Sequence, residues 1–307
     1  MIKVFPLLRE VIILIIFAII ENQTSMKTKE ELIDQLLDLA FAEDIGDGDH
    51  TTLSTIPEDA KGRSKLLIKE AGVVAGVDHA IKVLTKIDPK INVEVFIKDG
   101  TEVKPGDIVF IAEGPVRSLL MAERTLLNIM QRMSGVATMT RKYQDKLQGL
   151  KTKVLDTRKT TPGMRMMEKE AVKTGGGENH RIGLYDMILI KDNHIDFAGG
   201  LEKAVERAKE YCVNKGKDLK IEVEARSLDD VRKLVAMPEV DRIMFDNFSP
   251  EKTKEAVEIV AGKKETESSG GITIENLREY GETGVDYISI GALTHSVKGL
   301  DMSFKAC

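Results

Sequence analysis

Short apolar runs alternate with longer amphipathic stretches through the second half of the chain. Each run ends in a polar, charged or glycine residue, and the starts of successive runs lie roughly 20–35 residues apart, enough for one helix and two loops. This pattern predicts a β/α barrel with its site at the carboxyl ends of the strands. The six runs are VLDTRK (154–159), MILIK (187–191), IEVE (221–224), RIMFD (242–246), ESSGGI (267–272) and YISIGAL (287–293).

The first half of the chain follows other patterns. Residues 28–42 place apolar side chains at helical spacing, and residues 117–148 form a longer stretch with a broad apolar stripe. Between them, residues 61–116 alternate apolar and polar positions and contain β-branched runs separated by glycine and proline turns. We therefore expect an α+β open sandwich domain, hammerhead-like in form, ahead of the barrel.

The start of the chain differs from the rest. Val11 to Ile20 is an unbroken apolar run that is short for a bilayer span, and no small-residue cleavage site follows it. Three interpretations stay open: an extension in front of the domain, a membrane-associating helix, or a cleaved export signal. We divide the chain into an apolar extension (1–25), an N-terminal domain (26–130) and a barrel domain (131–307) whose last helix returns to the N-terminal domain.

Composition narrows the class of protein. The 307 residues suffice for a large core and two domains, and 42% hydrophobic with 31% charged residues is typical of a globular protein. The net charge of −5 argues against a general nucleic-acid binder. Cys212 and Cys307 lie far apart without a second cysteine nearby, which argues against a disulfide framework and fits a reducing cytoplasm.

Positive charge concentrates where two predicted strands end. Residues 157–191 contain seven Lys or Arg residues against four Asp or Glu residues. Crowded like charges repel each other, so a fold tolerates them best when an anionic ligand offsets them. The alternative is a solvated basic face. The side chains expected to converge after Thr157 are Arg158, Lys159, His180, Arg181 and Lys191.

Carboxylates and glycine turns end the other strands. Glu224 and Asp246 end neighbouring strands, and their hard oxygen atoms suit Mg²⁺ or sugar hydroxyls, although they could instead neutralise nearby lysines. The turns SSGGI (268–272) and SIGALTHS (289–296) follow the last two strands, where β/α barrels often bind phosphate through backbone N–H groups. The phosphate-binding candidates are Ser269, Gly270, Gly271 and Gly291, with His295 nearby.

Several of these segments together resemble the quinolinate phosphoribosyltransferase family, also called nicotinate-nucleotide pyrophosphorylase (carboxylating). The resemblance covers about residues 28–303, and the order and spacing of the segments make it specific. The segments are MAERTLLNIMQRMSGVAT, DTRKTTPGMR, KTGGGENHRIGLYDMILIKDNH, IEVEA, IMFDN, ESSGGI and ETGVDYISIGALTHS.

The resemblance implies a hammerhead-like first domain followed by an incomplete, six-stranded α/β barrel. It implies a homodimer, or a hexamer built as a trimer of dimers, in which the first domain of one subunit closes the barrel of its partner. The implied reaction converts quinolinate and phosphoribosyl pyrophosphate to nicotinate mononucleotide, pyrophosphate and CO₂, with Mg²⁺, in de novo NAD biosynthesis.

The resemblance also implies roles for particular residues. Arg124 would reach a quinolinate carboxylate across the dimer interface. Lys159, Glu224 and Asp246 would be the catalytic residues, with Lys159 beside the pyrophosphate and the two carboxylates near the ribose and Mg²⁺. The pyridine dicarboxylate pocket would comprise Thr157, Arg158, His180, Arg181 and Lys191. The 5′-phosphate cradle would comprise Ser269, Gly270, Gly271, Ile272, Gly291, Ala292, Leu293 and His295.

Three other functions stay open at this point. One is a sister phosphoribosyltransferase acting on another anionic base, and a second is a molybdenum-transport-associated homologue. The third, from a different class, is a non-catalytic barrel that binds phosphorylated metabolites. Release of CO₂ from carboxyl-labelled quinolinate separates the first from the decarboxylating enzyme, and quinolinate binding without turnover would favour the third.

Overall fold

The structure is a computed structural model that describes residues 26–307, so the extension predicted over residues 1–25 lies outside the described residues. Within that range, no helix combines the length and the apolar character needed to cross a membrane.

The N-terminal part contains three helices and two antiparallel sheets. Helix α1 begins at a capping box, in which the Thr28 hydroxyl accepts the Glu31 N–H and the Glu31 carboxylate accepts the Thr28 N–H. The elements are α1 (Lys29–Asp44), α2 (His50–Thr55), β1 (Lys61–Ile68), β2 (Gly72–Val73), α3 (Val77–Ile87), β3 (Asn92–Val95), β4 (Glu102–Val103) and β5 (Ile108–Pro115). The last strand of the chain, β12 (Met302–Ala306), joins β1, β5 and β3 in one sheet, and β2 and β4 form the other.

A single long helix, α4 (Val116–Lys146), connects the two parts. Its apolar stripe, including Leu126, Met130 and Met133, is buried. It packs against the N-terminal sheet on one side and against the first barrel helix on the other. The predicted boundary between residues 130 and 131 therefore falls inside a helix, and packing rather than a linker separates the two parts.

Six parallel strands form the second part, and each contains or overlaps one of the six apolar runs. The strands are β6 (Lys153–Leu155), β7 (Ile188–Ile190), β8 (Ile221–Ala225), β9 (Arg242–Asp246), β10 (Glu265–Ser269) and β11 (Tyr287–Ser289). The helices are α5 (Arg165–Thr174), α6 (Asp192–Ala198), α7 (Leu201–Lys215), α8 (Leu228–Ala236), α9 (Pro250–Val260), α10 (Leu277–Glu282) and α11 (Ala292–His295).

The barrel is open on one side. The strand order is β6-β11-β10-β9-β8-β7, so β6 and β7 are edges that do not pair with each other. One parallel bridge, between Leu155 and Glu178, extends the sheet beyond β6. The predicted fold class, an incomplete six-stranded barrel behind an α+β domain, is confirmed.

The end of the chain corrects one expectation. The last element is a strand, β12 (Met302–Ala306), and not the helix that we predicted. It returns to the N-terminal domain by pairing antiparallel with β1, where Phe304 lies opposite Leu66. Met302 and Phe304 are buried while Ser303 and Lys305 are not, a two-residue alternation that a strand satisfies and a helix does not.

Strand geometry determines which side chains enter the barrel. Because successive strand residues point to opposite faces, Glu222 and Glu224 on β8 share a face, as do Glu267 and Ser269 on β10. Ser269 ends its strand and Glu267 lies one layer deeper. The carboxyl ends of the strands thus form the rim of a site whose floor is built one layer below.

Candidate active site

A cavity of about 200 Å³ opens at the carboxyl ends of the barrel strands. This is smaller than the roughly 300–1,000 Å³ typical of sites for drug-sized molecules, so its size suits one small ring. Its lining combines cations at the rim with one carboxyl group and apolar side chains deeper down. The lining residues are Thr157, Arg158, Lys159, His180, Arg181, Leu189, Lys191, Met244, Glu267, Ser269 and Ser289.

The five basic side chains predicted to converge after Thr157 all line this one cavity. Burial, followed by the nearby charge of Arg158, lowers the pKa of Arg181, so these two guanidinium groups are close enough to repel. Arg181 donates to the Met187 carbonyl at 3.3 Å. Within residues 26–307, no carboxylate lies within 4 Å of the charged atoms of Arg158, Lys159 or Arg181. Their charge is therefore available to an anionic ligand.

Glu224 has a partner of its own. One carboxylate oxygen accepts from Lys191 Nζ, and the other accepts the Asp192 N–H at 3.2 Å. Neutralisation of a nearby lysine, the alternative interpretation from the sequence, therefore describes Glu224 in this structure.

Asp246 is half-buried at the end of β9, and the Asn247 side chain donates to it at 2.9 Å. Neither it nor Glu224 is among the residues that line the cavity. Both lie at strand ends beside it and offer the hard oxygen atoms that Mg²⁺ prefers.

A buried ion pair holds the loop that carries His180. Lys169 Nζ donates to Asp156 and, at 2.9 Å, to the His180 carbonyl, while Asp156 accepts the His180 N–H at 2.9 Å. Burial raises the pKa of Asp156 to about 6 and lowers that of Lys169. The Lys169–Asp156 ion pair thus fixes both the N–H and the carbonyl of His180. The sequence did not indicate this pair.

The imidazole of His180 faces two carboxyl groups below the rim. Its Nδ1 accepts the Arg181 N–H at 2.7 Å, so a neutral ring carries its proton on Nε2. Nε2 lies 3.0 Å from Glu222 Oε2 and 3.5 Å from Glu267 Oε2, without the alignment that a hydrogen bond requires. Burial lowers the pKa of this histidine.

Glu222 and Glu267 are both fully buried. Burial raises the pKa of Glu222 to about 7 and that of Glu267 to about 8, and repulsion from Glu222 adds to the second shift. Arg242 Nη1 donates to Glu267 Oε2 at 3.1 Å, an attraction too weak to outweigh the loss of hydration. This pair therefore retains at least one proton near neutral pH.

His180, Glu222 and Glu267 each offer one nitrogen or oxygen atom that could bind a metal ion, and these three atoms lie within 4.8 Å of one another. Arg242 already contacts Glu267, and its positive charge opposes a second cation in the same buried space. In these surroundings, Glu222 and Glu267 are better suited to keep a proton than to bind a metal ion.

The backbone of the two glycine turns packs closely against neighbouring side chains beside the rim. Gly270 and Gly271 have φ values of +94° and +64°, and a Cβ on Gly270 would lie 2.1 Å from Asn247 Oδ1. A Cβ on Gly291 would lie 3.1 Å from Lys159 Cδ and 3.0 Å from His295 Cδ2. A side chain on Gly270 would clash with Asn247, a side chain on Gly291 would fit tightly beside Lys159 and His295, and at Gly270 and Gly271 the positive φ favours glycine.

The other residues of the predicted phosphate cradle differ in accessibility. The Leu293 side chain is fully buried, so only its main-chain atoms could contact a ligand, while Ile272 is half-buried and packs against the core. Ala292 is half-buried. His295 is exposed, and its Nδ1 lies 2.6 Å from Ser296 Oγ. The cradle stays a prediction, with the contacts of Leu293 limited to its main-chain atoms.

Arg124 lies apart from this group. It is exposed on α4 and does not line the cavity formed by its own chain. Its predicted role across a dimer interface stays a prediction.

Two models of known protein families match this chain, one over its N-terminal domain and one over its barrel domain. The family model described as quinolinate phosphoribosyl transferase, N-terminal domain, matches residues 49–134, and the model for the C-terminal domain matches residues 136–305. The chain belongs to the quinolinate phosphoribosyltransferase family.

Relatives and solved structures agree with this membership. A chloroplastic nicotinate-nucleotide pyrophosphorylase [carboxylating] from Oryza sativa subsp. japonica is 44% identical over 285 residues, which are 88% of this chain and 76% of the relative. A probable nicotinate-nucleotide pyrophosphorylase [carboxylating] from Bacillus subtilis is 42% identical over 88% of this chain and 92% of its own. The crystal structure of NadC from Streptococcus pyogenes has a TM-score of 0.85 and 39% identity, covering 92% of this chain and 98% of that one.

Sequence reasoning left out the floor of the site in this family member. Leu189, Met244, Glu267 and Ser289 line the cavity without having been predicted, and Glu222, also not predicted, lies 3.0 Å from His180 Nε2. The missed signal was the alternation in ETESS (265–269), where Glu265, Glu267 and Ser269 share a strand face. A strand without apolar residues does not stand out in a search for apolar runs.

Proposed function

We propose that this chain transfers the phosphoribosyl group of phosphoribosyl pyrophosphate to quinolinate and releases pyrophosphate and CO₂, leaving nicotinate mononucleotide for NAD biosynthesis. The observation that supports this most is the cavity itself. Arg158, Lys159, Arg181 and Lys191 line a space of about 200 Å³ that contains a single carboxyl group, Glu267. A planar ring with two carboxylates matches both the size and the charge.

Quinolinate binding would use the rim. Guanidinium groups hold carboxylates through paired N–H···O bonds, and Arg158 and Arg181 line the same cavity, where they would bind the two carboxylates of one ring. Leu189 and Met244 provide apolar surface for the ring face. Orientation of the ring nitrogen toward the sugar donor would follow from these contacts.

Transfer would take place toward the glycine turns. Lys159 lies between the cavity and Gly291, where its ammonium group can draw off the departing pyrophosphate. Glu224 and Asp246 would hold the ribose hydroxyls and Mg²⁺, which supplies positive charge to the pyrophosphate when bound. The pyridine nitrogen then forms the bond to the anomeric carbon of the ribose.

Decarboxylation would follow from the charge of the alkylated nitrogen. The C–C bond between the ring and the adjacent carboxylate breaks, and the cationic ring stabilises the electron pair left on the ring carbon. Catalysis in this scheme comes from positioning and electrostatics, without a covalent enzyme intermediate.

Turnover of quinolinate is the direct test of this proposal. Purified protein is incubated with carboxyl-labelled quinolinate, phosphoribosyl pyrophosphate and Mg²⁺, with nicotinate in a parallel reaction. We expect equal amounts of nicotinate mononucleotide and labelled CO₂ from quinolinate, and little product from nicotinate. Product from nicotinate alone would identify a sister phosphoribosyltransferase. Quinolinate binding without any product would identify a non-catalytic binder.

The proposal includes a homodimer in which Arg124 acts in the partner's cavity. Exposure of Arg124 on α4, away from its own cavity, supports this arrangement. Arg124→Ala and Lys159→Ala should each abolish turnover while the protein stays folded. When the two variants are unfolded and refolded together, they form heterodimers. In each heterodimer, one of the two sites combines an intact Lys159 with an intact Arg124 from the other subunit, so activity should return. No restoration in heterodimers confirmed by native mass measurement would refute the shared site.

A further inference from the structure

The reaction proposed above leaves one chemical requirement unassigned. When the ring loses CO₂, an electron pair remains on the ring carbon, and that carbon must gain a proton to give the product. A general acid positioned beside the carbon commonly accelerates such a step by about 10²–10⁴-fold. The acid must lie inside the cavity and must hold its proton until CO₂ departs.

We propose that the carboxyl group of Glu267 is the acid that protonates the ring carbon after decarboxylation. This inference rests on the proposed function. Glu267 lines the floor of the cavity, is fully buried, and has one oxygen, Oε1, without a hydrogen-bond partner among residues 26–307. A buried carboxyl oxygen without a partner is unusual, and on a residue that lines a substrate cavity it calls for a ligand-related explanation.

The surroundings of Glu267 keep it protonated. Glu222, equally buried, lies close enough that both carboxyl groups approach the same His180 Nε2, at 3.0 Å and 3.5 Å. Two carboxylates so close in a water-poor space cannot both be ionised, and at least one retains a proton. Desolvation and repulsion from Glu222 both raise the pKa of Glu267, in agreement with this geometry.

The other acids of the cavity are committed elsewhere. His180 Nδ1 accepts a main-chain N–H, and Nε2 lies 3.0 Å from Glu222 Oε2 and 3.5 Å from Glu267 Oε2. Lys191 is paired with Glu224. Lys159 is exposed at the rim and lies beside Gly291, toward the sugar phosphate. Glu267 is the acid at the floor.

The step is balanced in atoms and electrons. The carbon–carboxylate bond breaks, CO₂ leaves, and the retained electron pair takes the proton of Glu267 to form a C–H bond. Glu267 becomes a carboxylate, whose negative charge is offset by Arg242 Nη1 at 3.1 Å. Water that enters as the product leaves returns the proton.

A single-turnover experiment separates this role from a structural one. Glu267→Gln keeps the shape of the side chain and removes the acid. Glu265→Gln is the matched control, because Glu265 lies on the same strand and contacts the same Arg242, at 2.9 Å, but does not line the cavity. Rapid quenching follows pyrophosphate release and nicotinate mononucleotide formation separately.

For Glu267→Gln we expect pyrophosphate release within about threefold of wild type and product formation slowed by about 100-fold, with the carboxylated mononucleotide accumulating. Glu265→Gln should alter neither step by more than about threefold, as expected for a residue outside the site. Wild-type product formation by Glu267→Gln, or equal loss of both steps, would overturn the inference.

Two further measurements cover other outcomes. If the glutamine variant does not fold, Glu267→Met, of similar volume, replaces it, since buried charged groups often tolerate apolar replacement. In wild type, ²H₂O should slow product formation but leave pyrophosphate release unchanged, and equal product rates in both solvents would overturn the inference. A wild-type chain without any turnover would refute the proposed function, and the inference with it.

Discussion

The two ends of the barrel contain similar charged residues in different arrangements. At the amino ends of the strands, a cavity of about 510 Å³ is lined by four lysines and three carboxylates. Lys151 pairs with Asp286 at 2.8 Å and Lys220 with Glu265 at 3.8 Å, and both lysines are more than half exposed. Charge at this end is balanced and solvated.

At the carboxyl ends, four Lys or Arg side chains share a smaller cavity with one carboxyl group. Three of them have no carboxylate within ion-pair distance in the described part of the chain. The lesson is that neither the number of lysines nor the size of a cavity identifies a site. An imbalance of charge around a small space, with buried acids beneath it, does.

The largest expected effect comes from removing one rim cation. Arg158→Ala should lower kcat/KM for quinolinate by about 10³-fold, because a bidentate contact to a carboxylate is lost where the remaining cations cannot replace it. Lys263→Ala, at the opposite end of the barrel, is the control and should keep wild-type kinetics. Equal losses in the two variants would remove the distinction between the ends.

Stability should distinguish a buried pair from an exposed one. Lys169→Met leaves Asp156 buried without its partner and should lower the free energy of unfolding by about 3–5 kcal/mol. Lys151→Met removes an exposed pair and should cost less than about 1 kcal/mol. Urea unfolding of both variants measures the difference. Similar values would mean that the Lys169–Asp156 pair does not fix the His180 loop.

A smaller effect should appear in the pH dependence of stability. The pKa of Glu267 is raised to about 8, so the folded state holds a proton that the unfolded chain releases above about pH 4.5. Because the folded state binds this proton and the unfolded chain does not, Glu267 makes the free energy of unfolding fall as pH rises from about 5 to 8. The fall is at most about 1.4 kcal/mol per pH unit.

Glu267→Gln removes this contribution. Its free energy of unfolding should therefore change less between pH 5 and pH 8 than that of wild type, measured by urea unfolding at each pH. A wild-type slope that persists unchanged in the variant would show that Glu267 is ionised in the folded protein.

The rim could be predicted from the sequence because it follows strand ends. Arg158, Lys159 and Lys191 come at the carboxyl ends of apolar runs, and parallel strands bring such ends together. The floor could not be predicted in the same way. Glu267 begins the predicted run ESSGGI (267–272), but its strand has the sequence ETESS (265–269), which contains no apolar residue to indicate which side chains face the barrel interior.

The final strand was mispredicted for a related reason. Residues 302–306 are too few to show a clear period, and their alternation becomes meaningful only against β1, more than 200 residues earlier. Long-range pairing of this kind leaves little trace in local sequence. The sequence indicated a lysine as a possible partner of Glu224, but the pairing of β7 with β8 identifies that lysine as Lys191.

Binding of quinolinate and nicotinate, measured side by side by calorimetry, tests the central claim most directly. Two carboxylates should engage Arg158 and Arg181 together, whereas one engages a single guanidinium group. A charge-assisted hydrogen bond contributes about 1.5–3 kcal/mol, so quinolinate should bind at least about 10-fold more tightly than nicotinate, and Arg158→Ala should remove most of that preference. Equal affinity for the two ligands in wild type would contradict the account.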